Sequence, residues 1–144
     1  MKDLRLTALD AQDLEVISAH MQDAVVRVGN MQFLPGPGKF ILEANRFDWL
    51  HAAETGEPTR KRALLQFARV GAVKAKAIPQ GEADYALDLL AIAFEPEASP
   101  SGAILLSFAG GGTIRLAVEC IEAQLADVSG AWAAQSMPKH GKAK

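Results

Sequence analysis

The sequence predicts an α+β domain made mostly of antiparallel β-structure. Three observations carry this. Short runs of alternating apolar and polar residues recur along most of the chain, turns rich in glycine and proline separate them, and one early segment has helical spacing instead. A length of 144 residues fits a single domain, expected over 1–136, with the basic stretch 137–144 as a disordered tail.

Leu4, Leu6 and Ala8 alternate with Arg5 and Thr7 and read as a short first strand. Asp10 is placed to cap a helix from Ala11 to Gln22, because its carboxylate can accept from first-turn amides and complement the helix dipole. Leu9 and Leu14 stand at the positions of a hydrophobic staple, and Leu14, Ile17 and Met21 form one apolar face. Val25, Val26 and Val28 then favour a strand. Gly29-Asn30 suits a two-residue hairpin turn, with Met31 and Phe33 on the return strand. Pro35, Gly36, Pro37 and Gly38 mark a turn before a third strand around Phe40, Leu42 and Ala44. The polar stretch from His51 to Arg60 is expected to be a mobile loop.

Arg62 to Val70 and Val73 to Ala77 read as strands, with Gly71 as a bend or bulge between them. Tyr85 to Phe94 is apolar on both faces, as in a central strand. Ile104, Leu106 and Phe108 alternate towards Gly110-Gly111-Gly112, and Ile114, Leu116 and Val118 alternate after it, which is a hairpin. Ile121, Leu125 and Val128 fall at helical spacing, with Gly130 as a cap, so a C-terminal helix is expected over 119–129, a longer strand being the alternative. The expected core is Leu87, Leu89, Ile92, Phe94, Ile104, Leu106, Leu116 and Val118. Strand, helix, seven or eight antiparallel strands and a helix would suit a barrel or a strongly bent sheet, and the last eight elements follow the order of the pleckstrin-homology-like superfold. That analogy concerns fold and not function.

Composition excludes several classes of function. Apolar residues make up 49% and charged residues 22%, ordinary values for a globular domain. A net charge of -2 gives no broad attraction to nucleic acid or to an anionic membrane. No apolar run reaches the ~20 residues of a membrane span, and Met1 to Arg5 lack the apolar core of a signal peptide. Cys120 is the sole cysteine, so internal disulfides and two-cysteine metal motifs are excluded. Together these suit a reducing cytoplasm.

No nucleophile and base stand in a recognisable catalytic pattern. Gly110-Gly111-Gly112-Thr113 precedes a strand, whereas phosphate-cradling glycine loops precede a helix, so it is a hairpin turn. His20 and Asp23 are one helical step apart but lack a supported nucleophile. Cys120, between Glu119 and Glu122, reads as a buried structural thiol. The three histidines, His20, His51 and His140, show no metal-ligand spacing, and no metal or cofactor is expected.

The binding candidates are Arg46, Phe47, Asp48 and Trp49, with Arg60 and Arg62. Two aromatics and two opposite charges stand at a strand end, and Trp and Arg are favoured at interaction hot spots. The structural alternative packs Trp49 over the mouth of the barrel and pairs Arg46 with Asp48 or another acid. Arg60, Lys61 and Arg62, with Lys74 and Lys76, form either a basic patch or a sheet edge protected by its charges. The segments ISAHMQDAVVRVGNM (17–31), NRFDWL (45–50), LLAIAFEP (89–96) and FAGGGTIRLAVECIEAQLADVSGAW (108–132) resemble a bacterial domain-of-unknown-function family of short single-domain proteins. The resemblance implies no activity, cofactor or catalytic residue.

The expected function is a non-enzymatic protein-interaction module. The alternatives are a barrel binding a small ligand and a small enzyme using His20 with Asp23 or Glu119. No nucleic-acid or membrane partner is expected. A homodimer through the Ala24–Phe33 hairpin, read as a weakly charged edge, or through the Arg46–Trp49 surface is expected as a candidate assembly.

Overall fold

Residues 3–128 are described by the computed structural model. The elements are β1 (Arg5–Ala8), α1 (Ala11–Met21), β2 (Ala24–Leu34), β3 (Lys39–Phe47), α2 (Trp49–Thr55), β4 (Arg60–Phe67), β5 (Val70–Lys76), β6 (Ala86–Pro96), β7 (Gly102–Phe108), β8 (Thr113–Val118) and β9 (Ala123–Asp127). The strands form one nine-stranded sheet in the order β1-β9-β4-β3-β2-β6-β7-β8-β5. Every pairing is antiparallel.

Chain connectivity bends this sheet. β4 and β5 stand six places apart in the strand order, roughly 29 Å in a flat sheet. Yet only Ala68 and Arg69 separate them, and the step from Phe67 to Val70 reaches at most about 11 Å. The two halves must therefore curl towards each other around a shared core. Arg69 takes the corner with a φ of 62°, and its carbonyl accepts from the Glu119 N–H. The sheet does not close: β1 and β5 are its edges, so the barrel expectation is corrected. β5 is exposed along most of its length, and Lys74 and Lys76 protect it as an edge strand.

The core fills the inner face. Leu87, Leu89, Ile92, Ile104, Leu106, Leu116 and Val118 are buried as expected, and Phe94 is partly buried against them. α1 closes over this face through Leu14, Ile17 and Met21. Asp10 caps it as its sequence position predicts, accepting from the Asp13 N–H at 2.8 Å. The staple does not form: Leu9 is 66% exposed.

β6 is not apolar on two buried faces. Its pairing with β7 shifts between Leu89 and Ala91, and this bulge changes the phase of burial. Leu87 and Leu89 face inward before it, Ile92 after it, while Leu90 remains exposed. Adjacent apolar residues here record a bulge rather than double burial. The Ile92 N–H donates to Ser18 Oγ of α1 at 2.9 Å, so the helix docks on the irregularity.

Three further expectations are corrected. Gly29-Asn30 makes no hairpin turn; both residues lie within β2, which runs between β3 and β6 and is not an edge. Gly29 is needed for a close approach, since a Cβ there would stand 2.8 Å from the Ala83 Cβ. The stretch from His51 is not all loop: Asp48 caps the helix α2 and Gly56 ends it in the left-handed conformation. Residues 123–127 form β9 rather than a C-terminal helix, with Ala123, Leu125 and Asp127 facing inward, and no helix follows β8 among the described residues. The tail 137–144 lies outside the described residues.

Leu116 is fully buried at the centre of the β7–β8 hairpin. Leu116→Ala should destabilise the domain by roughly 2–5 kcal/mol in urea melts. Ser18→Ala leaves the Ile92 amide without its acceptor and should lower stability by roughly 1–3 kcal/mol, measured in the same way.

Candidate functional site

Strand alternation divides the predicted cluster between two faces. On β3, Phe40, Leu42, Ala44 and Arg46 point to the core side, and Asn45 and Phe47 to the outer side. Arg46 and Asp48 are buried, at 2% and 5% exposure, whereas Trp49 is 39% exposed. The four residues are consecutive in sequence but do not form one surface.

The inward half centres on an ion pair. Arg46 Nε and Nη2 donate to Asp127 Oδ1 and Oδ2, each at 2.7 Å. The side chains are 3% and 0% exposed. Asp127 Oδ2 also accepts from the Leu4 N–H at 2.8 Å, which fixes the start of β1. Arg46 Nη1 donates to the Phe47 carbonyl. A guanidinium has five N–H groups. The remaining two, one on each Nη, have no acceptor among the described residues. Asp48 accepts from the His51 N–H and lies 3.6 Å from Lys61 Nζ. Burial alone raises the Asp48 carboxyl, but the His51 amide, Arg46 and Lys61 outweigh it and hold the carboxyl below its ordinary value.

Over this cluster lies an open cleft of about 570 Å³, lined by Arg46, Asp48, Lys61, Leu50, His51 and the β1 entry. His20 reaches the same cluster from α1. Burial, then the charge of Arg46, holds its imidazole below the ordinary value, while Asp127 and Asp48 oppose that shift. No hydrogen bond joins His20 to Asp23, and Asp23 has left the helix with a φ of 66°. The His20–Asp23 pairing weighed for the enzymatic alternative is therefore not formed.

The outward half is an aromatic and cationic surface. Phe47 and Trp49 meet edge to face, with ring centroids 4.6 Å apart. Trp49 Nε1 donates to the Gln22 carbonyl at the end of α1. Arg60, opposite Phe47 on β4, lies 5.9 Å from that ring. Its Nη1 donates to the Asn45 and Asp23 carbonyls. Arg62 continues the row and pairs with Glu43 at 2.9 Å.

Next to this row the sheet parts. β2 and β3 pair at Val26 with Ala44 and again at Met31 with Leu42. Arg27 to Asn30 therefore oppose Glu43 alone. The bulged segment turns to the other side, where Val28 N–H donates to Tyr85 O and Gly29 N–H to Ala83 O. A groove of about 220 Å³ opens, lined by Arg27, Asn30, Glu43, Asn45 and Arg62, with Val25 and Ala44 at its base.

A family described as Protein of unknown function (DUF2948) matches residues 4–140. The chain belongs to this family. No curated protein and no solved structure matches it. The DUF2948 chain thus places Phe47, Trp49, Arg60 and Arg62 together on the outer face and removes Arg46 and Asp48 from it. Lys74 and Lys76 are not part of this surface, because β5 pairs only with β8 at the far edge. Cys120 is half-buried rather than buried. No three His, Cys, Asp or Glu side chains among the described residues converge to hold a metal ion, and no described helix is long and apolar enough to cross a membrane. Sequence reasoning missed Arg27, Asn30, Glu43 and Asn45, which the bulge alone brings to one groove. It also missed Asp127, whose signal was the inward spacing of Ala123, Leu125 and Asp127.

Asp127→Ala should destabilise the domain by roughly 3–5 kcal/mol, because it strands a buried guanidinium, whereas Arg46→Met with Asp127→Leu should recover much of the loss. Chemical denaturation of the three proteins measures this. The depressed His20 pKa gives a pH dependence with a definite sign. The unfolded imidazole takes up its proton near pH 6.5 and the folded one only at lower pH. Stability is therefore fully present above pH 6.5 and falls as the pH drops towards the folded value. A His20→Asn variant should show a flatter decline in Tm across that window.

Proposed function

We propose that this chain is a cytoplasmic, non-enzymatic interaction module that engages a protein partner through the outer face of β2, β3 and β4. The observation that carries the reading is the pair of exposed Trp49 and half-buried Phe47 set beside Arg60 and Arg62. Aromatic and arginine side chains dominate interaction hot spots, because they combine large contact area with directional hydrogen bonding. Here the sheet and the end of α1 hold them in place: Trp49 is fixed through Gln22, and Arg60 through two backbone carbonyls. Such preorganisation lowers the entropy lost on association.

A catalytic reading has less support. His20 lies among charged groups that already have partners, and among the described residues no Ser, Thr or Cys side chain is hydrogen-bonded to it. A small-ligand reading draws on one specific observation: the cleft over Arg46 has a volume within the usual range of roughly 300–1,000 Å³ for ligand sites. The two uncommitted N–H groups of Arg46 would suit an acceptor there. A thermal-shift screen against small carboxylates tests this reading, with stabilisation lost in His51→Ala as its expected signature.

The module reading is tested by affinity capture from the native cell with the wild-type chain and Trp49→Lys. A partner retained by the wild type should be lost by the variant at unchanged Tm, corresponding to about 2 kcal/mol or more of binding energy. Retention of the same proteins by both would end the proposal.

A further inference from the structure

The groove beside the aromatic pair has an uneven charge balance. Arg27, Arg60 and Arg62 stand along or beside it, and Glu43 is the only acid among the described residues of its lining. Glu43 is engaged by Arg62. Arg27 donates only to the Asp84 carbonyl, at 3.4 Å. Arg60 donates only to the carbonyls of Asn45 and Asp23. Backbone carbonyls orient a guanidinium without neutralising it. Among the described residues, Arg27 and Arg60 therefore have no carboxylate within ion-pair distance.

The shape of the groove narrows the occupant. About 220 Å³ lies below the usual range of small-molecule sites, roughly 300–1,000 Å³, but accommodates a side chain. Asn30 and Asn45 add amide groups at the rim that can donate to an oxygen acceptor. Asn45 and Phe47 are two residues apart on the same face of β3, so the charged slot and the aromatic pair are adjacent. An occupant must then present a carboxylate and, one or two residues along an extended chain, an apolar side chain.

We propose that this groove docks an acidic, extended segment of a partner protein, with an Asp or Glu carboxylate on Arg27 and an apolar neighbour on Phe47 and Trp49. Charge-assisted hydrogen bonds from guanidinium to carboxylate supply direction and register. The inference rests on the module reading above and adds the chemical class of the partner. A nucleic-acid phosphate is less well matched. The chain as a whole carries a charge of -2, so it lacks the extended positive field that draws a polyanion to a surface.

The test selects peptides from a random displayed library on the full chain and measures the enriched sequences by fluorescence anisotropy. The expected result is an excess of Asp and Glu next to apolar residues. Affinity should fall about tenfold in Arg27→Glu, in keeping with one lost charge pair and its reversal. It should also fall as salt shortens the screening length below about 8 Å. Arg27→Lys should retain most of the binding, and circular dichroism melts confirm that each variant folds. Enrichment of neutral or basic peptides that Trp49→Lys releases would leave the module standing and overturn the acidic class. Acidic peptides indifferent to Arg27→Glu would overturn the slot, and so would a failure to enrich any peptide. Two other outcomes also overturn it: Arg27-dependent binding of a single-stranded DNA oligonucleotide without peptide binding, and a dimer by light scattering that Arg27→Glu dissociates.

Discussion

Arg46 on β3 reaches past β4 to Asp127 on β9, and both of its contacts are 2.7 Å. The same carboxylate holds the Leu4 amide at the entry to β1. One ion pair thus spans four adjacent strands at the end of the core where the sheet has an edge. A buried pair adds little net stability over apolar packing, but removing one partner leaves a charge in a medium that solvates it poorly. The pair therefore acts as a register constraint. Only with β9 paired as observed, Ala63 opposite Asp127, do the two groups meet.

That constraint also orders what lies above it. With Arg46 turned inward, alternation turns Phe47 outward, and Asp48 can cap α2 through the His51 amide. The cap sets Trp49 at the first turn of α2, where its ring meets Phe47 and its N–H reaches Gln22. The outer surface and the inner cleft are two consequences of one strand phase. A change at Asp127, on the core side, would reach the aromatic pair through β3.

The second device is the bulge. In β2 it frees Arg27 to Asn30 from β3 and creates the groove, and in β6 it shifts the phase between Leu89 and Ile92 and gives α1 its docking point through Ser18. In both cases the sheet loses ladder hydrogen bonds locally and satisfies amides elsewhere, with Ala83, Tyr85 and Ser18 as acceptors. The irregular places are those where the molecule has something to present or to hold.

Local chemistry made parts of the fold legible. Asp10 and the spacing of Leu14, Ile17 and Met21 determine α1, because capping and helical periodicity act within a few residues. The alternation on either side of Gly110-Gly111-Gly112 determines the β7–β8 hairpin and its buried face for the same reason. Partners distant in sequence decided the rest. β9 hid its strand period because its inward position carries Asp127, a charge tolerated there only through Arg46, 81 residues away. Gly29 looked like a turn because its close contact with Ala83 leaves no trace in the neighbouring residues. The sequence alone named Phe47, Trp49, Arg60 and Arg62, since hot-spot chemistry is a property of residue type. Only the tertiary structure separated them from Arg46 and Asp48 and joined them to Arg27, because strand phase and the β2 bulge depend on pairing across the sheet.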